Sequence, residues 1–295
     1  MSSRLHTIAT ENERIAAEGH YWAADGSRVT IEAALKAAAT GTRCHQPEEA
    51  LSRPSGRSPG AAPAGPSGPG GPADGPADRA LRIEVTAEKT LDAARRLCDS
   101  GAGEVAVLNF ASARNPGGGY LRGAKAQEED LCREALLYSC LIRTQHDYYE
   151  PHRASDDLLY SDRVIWSPQV PVHRGNGALL PEPYLVSFLT SPAPNAGQML
   201  RRDPAAGPAI DTALRRRAGR VLAVAAAHGV RRLVLGAWGC GVFANQPTAV
   251  AEAFHQHLEG DELGNRRDFD EIVFAVWDRG THSANRDAFT HRFAG

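Results

Sequence analysis

The sequence predicts an α/β fold, a layered sheet with helices on both faces. Three observations carry this. Strand-like and helix-like segments alternate from residue 81 onward. Two strand-like segments run directly into glycine-rich loops, each of which leads into a helix. The 295 residues, 42% hydrophobic and 23% charged, have the composition of an ordinary globular chain able to bury a sizeable core.

Taken in order, residues 11–50 hold one helix-like stretch ("NERIAAEG"), a hairpin signal at Asp25 and Gly26 ("HYWAADGSRVTI") and a short helix ("EAALKAAAT"). That is too little for an independent core, so residues 1–51 are expected to form an N-terminal extension packed on the main domain. Between Leu51 and Leu81 the chain is dominated by Pro, Gly, Ala and Ser, without a large apolar residue. Such a stretch cannot bury enough surface to offset its ordering entropy, so 52–80 is expected to be a disordered insert. The main domain is then expected over 81–295.

Within that unit "LRIEVTA" reads as a strand, "EKTLDAARRLCDSG" as a helix ended by Gly101, and "EVAVLNFA" as a buried strand. A glycine-rich loop follows, then one helix through "QEEDLCREALLYSCLIRT". The prolines of "RVIWSPQVPVHR" suggest an edge strand or a ligand-lining loop. "PYLVSFLTS" is a buried strand, and "DTALRRRAGRVLAVAAAHG", "RRLVLGAW", "QPTAVAEAFHQHLEG" and "FDEIVFAVWD" continue the alternation. "SANRDAFTHRF" closes the chain as a helix.

The formal net charge of −2 leaves no polybasic footprint, so nucleic-acid backbone binding is not expected. No apolar run has the length of a membrane span, and the first residues lack the apolar centre of a signal peptide. A cytoplasmic protein is expected. The five cysteines form no CxxC pair, and the eleven histidines form neither HxxxH nor HExxH. Disulfides and a metal site are therefore not expected; no cofactor is expected either. Tyr148 and Tyr149 read as packing, and Arg215, Arg216 and Arg217 as a solvated helix face.

Open α/β sheets bind ligands beyond the carboxyl ends of their strands. The loops "NFASARNPGGGY" and "GAWGCGVFANQP" lie at such ends. Glycines let consecutive backbone N–H groups converge on an anion, and a following helix N-terminus adds its own free N–H groups and positive dipole end. Two such cradles at neighbouring strand ends suit a pyrophosphate. Neither loop is a Walker or a Rossmann fingerprint, because no Lys-Ser/Thr follows the glycines and GxGxxG is absent.

Glu128 and Glu129 fall in the first turn of a helix beginning near Ala126. Carboxylates there complement the helix dipole by about 0.3–1 kcal/mol each. Adjacent helical residues point about 100° apart, so this pair cannot flank a bond as in the usual two-carboxylate glycosidase. A division of labour fits, one carboxylate holding sugar hydroxyls and the other exchanging a proton. The dipole lowers a carboxylate pKa, whereas burial and neighbouring negative charge raise it.

"NFASARNPGGGYLRGAKAQEEDL" resembles the signature of bacterial-type poly(ADP-ribose) glycohydrolases, and "LVLGAWGCGVFANQP" resembles that family's second phosphate loop. The resemblance implies a macrodomain-like three-layer α/β/α mixed sheet with an N-terminal helical extension. It implies hydrolysis of the ribose–ribose O-glycosidic bond of ADP-ribose polymers on modified proteins; a monomer is expected. Nucleic acid would enter only as an ADP-ribosylated substrate. It gives Glu129 the role of general acid/base and Glu128 that of binding the scissile ribose, with Gln127 supporting the loop. Gly117, Gly118 and Gly119 would hold the diphosphate from one side; Gly239, Cys240, Gly241 and Val242 would hold it from the other. Phe243 would pack on the distal ribose or adenine, and Asn109 and Asn115 would shape the sugar pocket. The alternatives are a mono-ADP-ribosyl hydrolase using the same pocket and a non-catalytic ADP-ribose reader. The paired glutamates speak against the reader, since an anionic ligand gains nothing from two nearby carboxylates.

Overall fold

A computed structural model describes residues 3–52, 81–101, 103–259, 268–280 and 282–294. All but the first residue of the expected disordered insert lie outside these. The chain opens with helix α1 (Ser3–Glu18), the hairpin β1 (His20–Trp22) and β2 (Arg28–Thr30), helix α2 (Glu32–Gly41) and the short strand β3 (Arg43–His45). The hairpin turns where Asp25 and Gly26 predict it: the Asp25 carboxylate accepts from the Ser27 amide at 2.9 Å, and Gly26 takes φ +82°.

The remainder is β4 (Arg82–Thr86), α3 (Thr90–Ser100), β5 (Val105–Phe110), α4 (Gln127–Glu134), α5 (Tyr138–Leu141), α6 (Glu150–Arg153), β6 (Val164–Gly175) and β7 (Ala178–Ser191). Then come α7 (Ala196–Arg202), α8 (Gly207–Ala227), β8 (Arg232–Leu235), α9 (Pro247–Glu259), β9 (Glu271–Ala275) and α10 (Ala284–Phe293). Seven strands form one mixed sheet in the order β3-β6-β7-β5-β8-β9-β4. From β7 to β4 all pairs are parallel, while β3, β6 and β7 pair antiparallel.

The sheet is buried on both faces, which the apolar run from Val105 to Leu108 in β5 anticipates. Val105 and Val107 point into one core with α1, α2 and α3; Ala106 and Leu108 point into the other with α8 and α9. Each fully buried Val or Leu side chain among them contributes about 1.5–3 kcal/mol. The three layers expected from the alternation are therefore present.

Three local expectations are corrected. The helix from Gln127 does not run on through Thr144: Ala135 is extended (φ −112°, ψ 154°), bridges Val172, and is followed by the Leu136 amide donating to the Pro171 carbonyl at 3.0 Å. Pairing with β6 overrides the helix propensity of "EALL". The proline-bearing segment is neither a sheet edge along its whole length nor a loop, but strand β6 inside the sheet. β3 covers only Val164–Trp166, so Pro168 and Pro171 fall beyond its reach, beside a register shift between Ser167 and Val170. Finally, Arg217 is not on a solvated face: it is fully buried, unlike its neighbours Arg215 and Arg216.

Candidate active site

β5 ends at Phe110 and the chain turns back over the start of α4, held there by side chains of α4 itself. Gln127 closes the strand end. Its Nε2 donates to the Leu108 carbonyl at 2.9 Å and its Oε1 accepts from the Phe110 amide at 2.9 Å. This fixes the rotation of α4 about its axis, and so the direction of the two glutamates that follow.

Glu128 is 3% exposed and accepts at both oxygens, from the Ser112 amide at 2.7 Å and from Asn109 Nδ2 at 3.2 Å. Asn109 in turn donates to Thr190 Oγ1 at 3.1 Å, across the β5–β7 pair. Burial pushes the Glu128 carboxyl up to about 8; the Ser112 and Asn109 donors oppose this, and the neighbouring Glu129 charge adds to it.

Glu129 is 8% exposed and bound on one side only. Its Oε1 accepts from the Gly119 amide at 2.8 Å, while its buried Oε2 has no partner among the described residues. The turn that supplies this amide needs its glycines for space. Gly117 and Gly118 take φ +64° and +59°. A Cβ on Gly118 would lie 2.5 Å from Glu129 Oε1, and one on Gly119 would lie 2.5 Å from the Ala124 Cβ. The turn closes through the Gly118 amide to the Asn115 carbonyl at 3.0 Å, so Asn115, exposed at its side chain, enters by its backbone.

The second loop leaves β8, the parallel neighbour of β5, on the same sheet edge. A Cβ on Gly236 would lie 2.6 Å from the Ala275 carbonyl oxygen and 3.0 Å from the Phe110 ring, so the two loops start against one another. Gly239 (φ +73°) could carry no side chain, because a Cβ would fall 2.3 Å from that of Ala193. Buried Asn245 ties the loop down, its Nδ2 donating to Pro194 O at 2.8 Å and Gly239 O at 3.1 Å. Gly241 faces open space and Val242 is 87% exposed. Cys240 is half-buried, and burial pushes its thiol up to about 12. Phe243 packs on the Tyr160 ring at 5.9 Å between centroids. Pro247 opens α9 in its first turn, as the sequence predicts.

Residues missed from the sequence support this edge. Ser112 acts through a backbone amide, and Thr190 through a register that only the β5–β7 pairing creates, so neither left a signal. Arg217 donates to Asp162, to the Pro192 carbonyl at 2.7 Å and to the Leu159 and Tyr160 carbonyls at 2.8 and 3.1 Å. It thereby holds Tyr160, at φ +61°, against Phe243. Tyr148 and Tyr149 are fully buried, as packing predicts. Among the described residues no group of three or more His, Cys, Asp or Glu is placed to hold a metal ion, and no helix is long and apolar enough to cross a membrane.

The fold and site thus define an α/β protein whose glycine loops and paired glutamates share the carboxyl edge of a parallel strand set. The sequence family "Microbial-type PARG, catalytic domain" matches residues 9–175. Poly(ADP-ribose) glycohydrolase from Thermomonospora curvata is 43% identical, over 98% of this chain and 99% of that one, with a TM-score of 0.83. The same protein bound to the inhibitor ADP-HPD matches at 42% identity over 98% and 99% of the chains, TM-score 0.80. Poly(ADP-ribose) glycohydrolase from Deinococcus radiodurans in complex with ADP-ribose is 39% identical over 88% and 96% of the chains, TM-score 0.70. No curated protein matches. The chain belongs to the microbial-type poly(ADP-ribose) glycohydrolase family.

Proposed function

We propose that this chain hydrolyses the ribose–ribose O-glycosidic bond of poly(ADP-ribose), releasing ADP-ribose, with Glu129 as general acid/base. Family membership and the likeness to solved glycohydrolases support the reaction. The observation that carries the residue assignment is the asymmetry of the two carboxylates. Glu128 accepts a side-chain or backbone donor at each oxygen, whereas Glu129 keeps one buried oxygen without a partner among the described residues, beside a glycine turn that leaves no Cβ in the way.

In this reading Glu128 and Asn109 orient the scissile ribose. Glu129 protonates the departing ribose oxygen as the glycosidic C–O bond breaks, leaving an oxocarbenium-like centre. Water then adds to that centre and returns a proton to Glu129, so the net change is one water consumed per bond. Gly117, Gly118 and Gly119 face the diphosphate from one side, and Gly239, Cys240, Gly241 and Val242 from the other. Phe243, held by Tyr160, packs on the distal ribose or adenine; Gln127 supports the loop and Asn115 borders the sugar pocket.

The same reading takes the chain as a cytoplasmic, monomeric macrodomain acting on ADP-ribosylated proteins. It divides the chain into an extension at 1–51, an insert at 52–80 and a catalytic domain at 81–295. The extension gives β3 to the main sheet and shares the core of α3.

The test supplies polymer-modified and mono-modified acceptors and quantifies free ADP-ribose. Release from polymer, abolished by Glu129→Ala, is expected. Release from the mono-modified acceptor alone would favour the mono-ADP-ribosyl hydrolase. No release from either, with ADP-ribose still bound, would leave a reader.

A further inference from the structure

Helix α1 touches both halves of the unit that holds Glu129. At the glycine turn, the Tyr120 hydroxyl lies 3.3 Å from the Ala9 carbonyl oxygen and 3.2 Å from a Glu13 carboxylate oxygen. His6 Nδ1 lies 2.8 Å from the Leu121 carbonyl oxygen, which it can meet only as an N–H donor. At the far end of α4, the fully buried Asn12 donates through Nδ2 to the carbonyls of Arg133 at 2.8 Å and Cys132 at 3.4 Å. These are last-turn carbonyls, which have no partner within the helix. Asn12 Oδ1 meanwhile accepts from Arg174 Nε at 2.8 Å and faces His173 Nε2 at 2.9 Å, fixing α1 to β6.

The distance that matters is the 2.8 Å from the Gly119 amide to Glu129 Oε1, because it joins the turn to the helix. One end of it belongs to a turn of consecutive glycines, which has little stiffness of its own. The other belongs to an eight-residue helix broken at Ala135. Neither half sets that separation alone, and both rest on α1.

We propose that α1 is the brace that fixes Glu129 relative to the glycine turn, and that Asn12 is its principal positioning residue. Resting on the glycohydrolase reading above, this gives the N-terminal extension a part in turnover and not only in stability. Asn12 touches no substrate; it acts through the last turn of α4. Tyr120 is the second arm, acting through the turn.

Asn12→Asp separates the two sides of the brace. It keeps the acceptor facing Arg174 and His173, so α1 stays on β6, but it cannot donate to the Cys132 and Arg133 carbonyls. Tyr120→Phe keeps the ring packing and removes the hydroxyl contacts. For each variant in the full chain, kcat is expected to fall about 10- to 100-fold with KM near wild type. Amide hydrogen exchange at Gly119 is expected to quicken while exchange in β5 stays unchanged. A purely structural role would lower the melting temperature and leave kcat and Gly119 exchange as they were; that result overturns the proposal. If the wild-type protein releases no ADP-ribose from polymer, the glycohydrolase reading fails, and Gly119 exchange in the same variants still decides whether α1 braces the turn.

Discussion

The amide of Gly119 donates to Glu129 Oε1 at 2.8 Å, so the glycine turn grips one glutamate while its second oxygen is buried and has no partner among the described residues. A carboxylate held by one oxygen keeps its orientation and can still exchange a proton at the other. Replacing Glu129 by Gln preserves shape and an acceptor for Gly119 but removes the carboxyl that the proposed mechanism uses to carry the proton. ADP-ribose release should fall about 10²- to 10⁴-fold, with ADP-ribose affinity by calorimetry little changed.

Glycines in the two loops should differ in tolerance. Gly118→Ala puts a Cβ 2.5 Å from Glu129 Oε1 at φ +59° and should abolish turnover. Gly239→Ala meets Ala193 at 2.3 Å and should lower the melting temperature as well. Gly241→Ala meets nothing within 4 Å and should fold with wild-type stability. Thermal melts on the three variants, with turnover for the first, give the ranking.

Glu128 should leave a mark on stability against pH. Its folded pKa, about 8, stands above its ordinary 4.5, so between these values the native state binds more protons than the unfolded chain. Stability from this group is therefore lost as pH rises from about 4.5 to about 8. Glu128→Gln should flatten that part of the profile in denaturant titrations at successive pH values. A slope unchanged by the substitution would mean that another group carries it.

Arg217 is a buried cation whose hydrogen bonds end on Asp162 and three carbonyls. Arg217→Met leaves the mostly buried Asp162 facing its other partner, exposed Arg216, and orphans the carbonyls. A loss of about 3–5 kcal/mol in urea unfolding is expected. Because Tyr160 and Phe243 depend on the same anchor, ADP-ribose affinity should weaken too.

Cys240 sits in the second loop yet should be chemically quiet. Burial holds its thiol near 12, so the thiolate is scarce at neutral pH. Alkylation by iodoacetamide should run about 10³-fold slower than for a free thiol of pKa near 8.5, followed by mass spectrometry.

What could be read from the sequence was what depends on neighbours along the chain. The first-turn position of Glu128 and Glu129, the glycine turn before them, the hairpin at Asp25 and Gly26, and Pro247 at the start of α9 are all local. What escaped depends on partners distant in sequence. Ala135 leaves the helix because Val172 pairs with it, which no window around Ala135 contains. Pro168 and Pro171 signalled an edge, and the signal was sound for the part of β6 that β3 leaves open; β3, only three residues long, covers Val164–Trp166. Arg217 sits in a run of three arginines, and its burial follows from Asp162 and a loop some sixty residues earlier. The unequal hydrogen bonding of the two glutamates likewise arises from Ser112, Asn109 and Gly119, reached by folding.

Gln127 has one further consequence. It meets the end of β5 with a donor to the Leu108 carbonyl and an acceptor for the Phe110 amide, the complement a neighbouring strand would present. The side chain is thus a two-atom forgery of a β-strand. A carboxylate in its place could copy only the accepting half, and would add a fourth acidic group to a first turn that already holds Glu128, Glu129 and Asp130. That mismatch of hydrogen-bond parity is a physical reason for the triplet to read Gln-Glu-Glu, with an amide leading two acids.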